Sequence, residues 1–176
     1  SLRRPHTLHK YQRKLLRDYV SFMVFSGLRP NEARQLRWCD IYFYNDKNGD
    51  QQTMIEVAET TKTGARQCTP MKPARIAIDR IKIYSKNTNT TDLIFCTQKG
   101  EPIWDFNKTF KKDLIELDLL TDKNGKDRTI YSLRHTYATW MLMYQDVDVY
   151  ELSGNMGCGI NMIKNHYDHV LNRRRG

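Results

Sequence analysis

SGLRPNEARQLRWCDI, residues 26–41, changes its conformational preference three times within a short span. Gly27 follows an apolar helical stripe and reads as the C-cap that ends it. Pro30 suits the first turn of a new helix carrying Glu32, Ala33, Leu36 and Arg37. From Ile41 the pattern turns to strand, with Ile41 to Tyr44 β-branched and aromatic. A small sheet is therefore set directly into helical surroundings.

Working outward, residues 7–27 place Leu8, Tyr11, Leu15, Tyr19, Phe22 and Met23 on one apolar stripe of a helix. Downstream, the turn residues Asp46 to Asp50 link the first strand to a second, Thr53 to Ala58. A second turn, Thr61-Lys62-Thr63-Gly64, leads to a third strand from Arg66 to Met71. Helices are predicted over 74–86, 104–119, 132–144, 147–154 and 160–168, with a short strand from Asp92 to Thr97 and a polar loop from Thr121 to Arg128. In the stretch YSLRHTYATWML, 131–142, and just beyond it, Leu133, Tyr137, Trp140, Met141 and Tyr144 form the expected buried stripe. There is no internal repeat and no domain boundary. The fold class expected is α+β, mainly helical, with a three-stranded antiparallel sheet near the N-terminal third, and residues 1–176 as a single domain.

The 176 residues suffice for one well-packed core. With 39% hydrophobic and 28% charged residues the composition is that of a globular rather than a disordered chain. No apolar run approaches the roughly 20 residues needed to span a bilayer, so no membrane partner is expected. Cys39, Cys68, Cys96 and Cys158 have no zinc-like spacing and read as reduced thiols of a cytoplasmic protein. His166 with His169, or His6 with His9, lack a third ligand at a supporting distance, so no metal and no cofactor are expected. Lysine and arginine outnumber aspartate and glutamate 29 to 20, a net charge of +9 that suits a polyanion as readily as it suits a solvated basic surface.

Four places carry chemistry-bearing residues. Arg29 stands directly after a helix break, where a guanidinium can enter a cleft or simply sit at an exposed cap. Lys62 lies at a hairpin tip, a position usually left to solvent. Arg134 and His135 stand together near the start of a helix, and Tyr167 follows the glycine-rich turn of MGCGINMIKNHYDHV. Taken singly, each has an ordinary surface or packing explanation.

Their order changes this. The sequence resembles the catalytic domain of the tyrosine recombinases, the phage-integrase family, over roughly residues 8–170. Gly27, Leu28, Arg29, Glu32, Leu36, Trp38, Asp40 and Ile41 match the family's first-arginine motif. Lys62, Thr63 and Gly64 match its hairpin lysine turn, and Leu133, Arg134, His135, Thr136, Ala138 and Thr139 match its second-arginine helix. Met156, Gly157 and Cys158 stand in the leucine-glycine-histidine motif, with Tyr167 nine residues on and His169 after it.

The resemblance implies a DNA recombinase or integrase of phage or mobile-element type, working on double-stranded DNA. Tyr167 would attack a phosphodiester to give a 3′-phosphotyrosyl link, Arg29 and Arg134 would clamp the phosphate, and Lys62 would protonate the departing 5′-oxygen. Neither metal nor ATP is implied. Two positions depart from the family: Tyr131 stands where a histidine is usual, and Cys158 where histidine or tryptophan is usual. A phenol is a weak general base at neutral pH and a thiol only a weak donor. Tyr131, His135 and Cys158 are therefore expected as active-site support, His135 in a buried supporting role, and Glu32 as a residue that orients Arg29 or packs locally rather than touching DNA. The family's separate N-terminal helical domain has no counterpart in residues 1–176, so the chain is expected to be an excised catalytic domain, monomeric alone and tetrameric on DNA when full-length. A cytoplasmic location at the nucleoid follows from the same resemblance. Rival readings are a type IB topoisomerase-like nicking-closing enzyme and an inactive DNA-binding relic.

Overall fold

The computed structural model describes residues 6–59, 64–145 and 147–175, without the side chains of residues 6–9, 168, 169 and 171–175. Helix α1, His6–Ser26, is the central rod, with Leu15, Tyr19, Phe22 and Met23 completely or almost completely buried. Burying each of these side chains is worth roughly 1.5–3 kcal/mol. Gly27 ends α1 at φ 66°, and a Cβ there would stand 2.3 Å from the ring of Tyr137. Glycine thus supplies both the left-handed turn and the close approach of two helices.

The short helix α2, Pro30–Gln35, begins at Pro30, and a 3₁₀ turn at Trp38–Asp40 leads into the sheet. Strands β1 (Ile41–Asn45), β2 (Gln51–Val57) and β3 (Arg66–Cys68) pair in the order β1-β2-β3, both pairs antiparallel. Helix α3, Lys72–Tyr84, packs on α1, and α4, Asn107–Glu116, adds Phe110 and Leu114 to the same core. A second apolar cluster joins α5 (Ile130–Tyr144), α6 (Val149–Met156) and α7 (Ile160–Arg175) through Tyr137, Leu142, Leu152, Met156, Ile163 and Tyr167. The chain is mainly helical with one three-stranded sheet, as its sequence pattern predicts. Lys62 lies outside the described residues.

Four expectations change. Asp92 to Thr97 is no strand: Leu93 and Cys96 make single bridges, to Arg37 and Pro102. Arg37 lies between α2 and the 3₁₀ turn, so its partner segment is too short for a ladder. The helix expected over 104–119 is confined to 107–116, opened by the Asp105 carboxylate accepting from the Asn107 amide at 2.7 Å and closed by Asp118 at φ 54°. The last helix runs on to Arg175 past a break at Tyr167. On α5 the buried face is Ile130, Arg134, Tyr137, Ala138 and Leu142, while Trp140 and Tyr144 are exposed. The expected stripe was displaced because it excluded an arginine that is in fact inside.

Candidate active site

The site forms where α6 ends. Asp148 caps the start of α6, its carboxylate accepting from the Glu151 amide at 2.8 Å. Gly157 ends it in the left-handed conformation, φ 64°, with the amides of Gly157 and Cys158 donating back to the carbonyls of Gly154 and Ser153. The last carbonyls of a helix have no partner within it and sit at the negative end of its dipole. Here those of Met156 and Gly157 each accept from a guanidinium: Arg134 donates to Met156 at 2.8 Å and Arg29 to Gly157 at 2.6 Å.

Arg134 is 1% exposed. Its other terminal nitrogen donates to the Gly27 carbonyl at the end of α1, so helix ends hold it on two sides. Burial lowers its pKa and the neighbouring charge of Arg29 lowers it further. An arginine stays charged even so, and the site therefore concentrates positive potential.

Arg29 is set by the proline after it. A residue before proline is pushed out of the helical region, and Arg29 has φ −73°, ψ 147°. From this position its backbone amide donates to Glu32 at 2.8 Å and its guanidinium donates to the same carboxylate at 2.8 Å. The buried Glu32 also accepts from both terminal nitrogens of Arg66, at 2.9 and 2.8 Å. Burial alone would raise the Glu32 pKa, but the hydrogen bonds from Arg66 and Arg29 outweigh it and bring it to about 2. Sequence reading passed over Arg66. The available signal was strand alternation, which puts Arg66 on the same face as the fully buried Cys68.

Arg66 in turn leans on Gly157, where a Cβ would lie 2.6 Å from its Nε. The Arg66 Nε also donates to the Asn155 carbonyl at 3.4 Å. The end of α6 thus carries Arg29, Arg66 and Arg134 together. The Cys158 thiol follows directly. Burial raises its pKa, and the charges of Arg134 and Arg29 work against that rise.

Tyr167 sits at the break in α7, at φ −123°, ψ 15°, and is 4% exposed. Its hydroxyl oxygen lies 2.6 Å from Nδ1 of His135. Burial pushes the phenol up to about 12, with Arg134 pulling down and Tyr131 and Cys158 adding to the rise. His135, expected as buried support, is half-buried and in direct contact with Tyr167. Its ring meets that of Tyr131 edge-on at 5.4 Å and lies stacked at 6.3 Å from that of His166. Burial lowers the His135 pKa, and the charges of His166, Arg134 and Lys126 lower it further. Tyr131 is 42% exposed at the edge of the site. Of the sequence-predicted residues, Arg29, Arg134, His135, Cys158 and Tyr167 converge here, with Tyr131 bordering them.

A phenol that feels the charge of Arg134, with Arg29 held on the next carbonyl, is suited to attack on a phosphate ester, with the cations stabilising the charge that develops. Comparison with known proteins points the same way. The phage integrase family model matches residues 5–174. The fold is similar to that of the XerH site-specific recombinase bound to its palindromic difH substrate, with TM-score 0.68 and 21% identity over 98% of this chain and 46% of that one. The Tn1549 transposon integrase in complex with transposon right-end DNA gives TM-score 0.64 and 18% identity, over 94% of this chain and 58% of that one. A lambda integrase dimer bound to a core site gives 0.59 and 17%, over 92% and 53%. The chain spans about half the length of these proteins. No curated protein matches the sequence. With the family match running almost end to end and the solved recombinases sharing the fold, the chain belongs to the phage integrase family of tyrosine recombinases.

Proposed function

We propose that this chain is the catalytic domain of a site-specific DNA recombinase in which Tyr167 is the nucleophile. The observation that carries the reading is that the buried Tyr167 phenol feels the charge of Arg134, which with Arg29 is anchored on consecutive carbonyls at the end of α6. The Tyr167 oxygen attacks phosphorus, a 3′-phosphotyrosyl bond forms, and the bond to the 5′-oxygen breaks. Arg29 and Arg134 bind the non-bridging oxygens, for which a planar, permanently charged fork is well shaped. Lys62 delivers a proton to the departing 5′-oxygen. The phosphotyrosyl bond conserves the energy of the broken one, so rejoining to a new 5′-hydroxyl needs no ATP.

The partner in this reading is double-stranded DNA at a recombination site, met in the cytoplasm at the nucleoid. The full-length protein assembles as a tetramer, with this chain monomeric by itself. The net charge of +9 supports a polyanionic partner. Among the described residues no helix is long and apolar enough to cross a membrane.

The test is covalent capture. The full-length protein is incubated with nicked duplexes carrying randomised inverted repeats, and adducts surviving denaturation are recovered and sequenced. The wild type is expected to yield an adduct at one preferred sequence and Tyr167→Phe none. An equal adduct from Tyr167→Phe refutes the nucleophile. No adduct from the wild type favours a DNA-binding relic, and supercoil relaxation without strand exchange favours a topoisomerase.

A further inference from the structure

The geometry points to His135 as the proton acceptor that activates Tyr167, in place of the residue at position 131. This inference rests on Tyr167 being the nucleophile. A phenol with a pKa near 12 is almost wholly protonated at neutral pH, so attack requires a base in contact with its hydroxyl. Among the described side chains, the one hydrogen-bonded to the Tyr167 oxygen is His135, Nδ1 to Oη at 2.6 Å. That is within the reach required of a general base.

The neighbours fit this role less well. Tyr131, at the position where the family has histidine, is itself a phenol and presents its ring to His135 rather than its oxygen to Tyr167. Burial raises the pKa of the Cys158 thiol, which keeps it protonated at neutral pH and without a free site for the phenol proton. His166 has its Nδ1 on the Met162 carbonyl at 3.0 Å, a bond in which this nitrogen is the donor. Among the described side chains, the charged and titratable groups around His135 are Arg134 and Tyr131 on α5, His166 and Tyr167 on α7, and Lys126 in the preceding loop. The cations among them and the burial of the ring favour neutral imidazole, which keeps one bare nitrogen.

The step balances. The phenol proton passes to Nδ1, the phenolate oxygen bonds to phosphorus, and the electron pair of the broken bond goes to the 5′-oxygen, which takes a proton from Lys62. On rejoining, the 5′-oxygen returns its proton to Lys62 and the departing phenolate recovers its own from His135. The phosphate bound by Arg29 and Arg134 supplies the negative charge that makes imidazolium tolerable beside Arg134. Tyr131 is then a positioning residue, its ring set against the imidazole.

The test uses the full-length protein and the nicked duplex recovered by covalent capture. His135→Asn keeps an acceptor oxygen near the place of Nδ1 but cannot take a proton. Single-turnover adduct formation is expected to fall about 10²- to 10⁴-fold with DNA binding retained. The wild-type rate should rise with pH through the imidazole range and then level, while that of His135→Asn continues to climb above pH 7. A 5′-bridging sulfur, which leaves without a proton, should restore Lys62→Ala but not His135→Asn. In the wild type, ¹⁵N-histidine spectra should show His135 with a bare Nδ1 and a protonated Nε2.

Adduct formation by His135→Asn at the wild-type rate overturns the inference, as does its rescue by the bridging sulfur or a protonated Nδ1 in the neutral wild type. A Tyr131→Phe variant losing as much activity as His135→Asn also overturns it. Absence of any wild-type adduct instead strikes at Tyr167 itself, so the two failures are distinguishable.

Discussion

Glu32→Gln removes one negative charge while keeping the shape of the side chain, and its effect can be worked from the structure. The Glu32 carboxylate accepts four hydrogen bonds, two from Arg29 and two from Arg66, in a nearly solvent-free position. An amide there turns one acceptor into a donor facing guanidinium N–H groups, and it leaves the charges uncompensated. Breaking one partner out of a buried ion pair costs roughly 3–5 kcal/mol. The pKa gives a second measure. A drop from the ordinary 4.5 to about 2 on folding corresponds, at about 1.36 kcal/mol per pH unit, to ~3 kcal/mol.

Because the folded pKa is the lower one, this stabilisation is complete above pH 4.5 and is lost as pH falls towards 2. Urea unfolding of wild type and Glu32→Gln should therefore differ by about 3 kcal/mol at pH 7 and about 1.4 kcal/mol at pH 3. The remaining carboxylates are the same in both proteins and cancel in the difference. A gap under 1 kcal/mol at pH 7, or one unchanged down to pH 3, would refute the claim that a charged Glu32 ties Arg29 to Arg66.

Three further outcomes are expected. Arg134→Lys loses the planar fork that spans the carbonyls of Gly27 and Met156, so adduct formation should fall by about 10²- to 10³-fold and thermal unfolding should come earlier. Gly157→Ala forces a left-handed alanine, at about 1–2 kcal/mol, and drives its Cβ into Arg66, so urea unfolding should show at least that loss together with a slower adduct assay. Tyr167→Phe should abolish the adduct while costing only about 0.5–1.5 kcal/mol in unfolding and leaving DNA retention in a gel shift intact.

The helical scaffold was legible because it rests on periodicity and caps, the two signals a single sequence carries best. Gly27, Pro30 and Gly157 each occupy a position whose backbone geometry calls for that residue type, and each marks a true boundary. The α5 stripe failed because a hydrophobicity-based reading has no way to place Arg134 inside, and it therefore turned Trp140 and Tyr144, which are exposed, towards the core. The burial of Arg134 depends on carbonyls from α1 and α6, at residues 27 and 156, far from it in sequence. The same holds for Arg66, whose partner Glu32 lies 34 residues away. The contact between His135 and Tyr167 spans 32 residues and arises only after α7 breaks at Tyr167, a break without a proline or glycine at that residue to announce it. Long-range polar contacts of this kind are absent from local patterns, whereas the buried Tyr11, Leu15, Tyr19, Phe22 and Met23 of α1 are written there, the Leu8 side chain lying outside the described residues.

The two departures at positions 131 and 158 can be weighed by asking which atoms hold the site together. The guanidiniums of Arg29 and Arg134 are fixed largely by main-chain carbonyls of residues 27, 156 and 157, which exist whatever side chain follows them. What the turn requires is glycine at 157, for its left-handed backbone and for the space that Arg66 fills. In the proposed reading a thiol at Cys158 leaves these carbonyl anchors intact, and with Tyr131 at the exposed edge of α5 the proton of Tyr167 goes to His135, the ring in contact with it. The same turn that ends α6 also starts the run into α7 and hence sets where Tyr167 stands against the arginines. Buried charge in α5 and a broken α7 are local costs, concentrated where the chemistry is and offset by the cores around them.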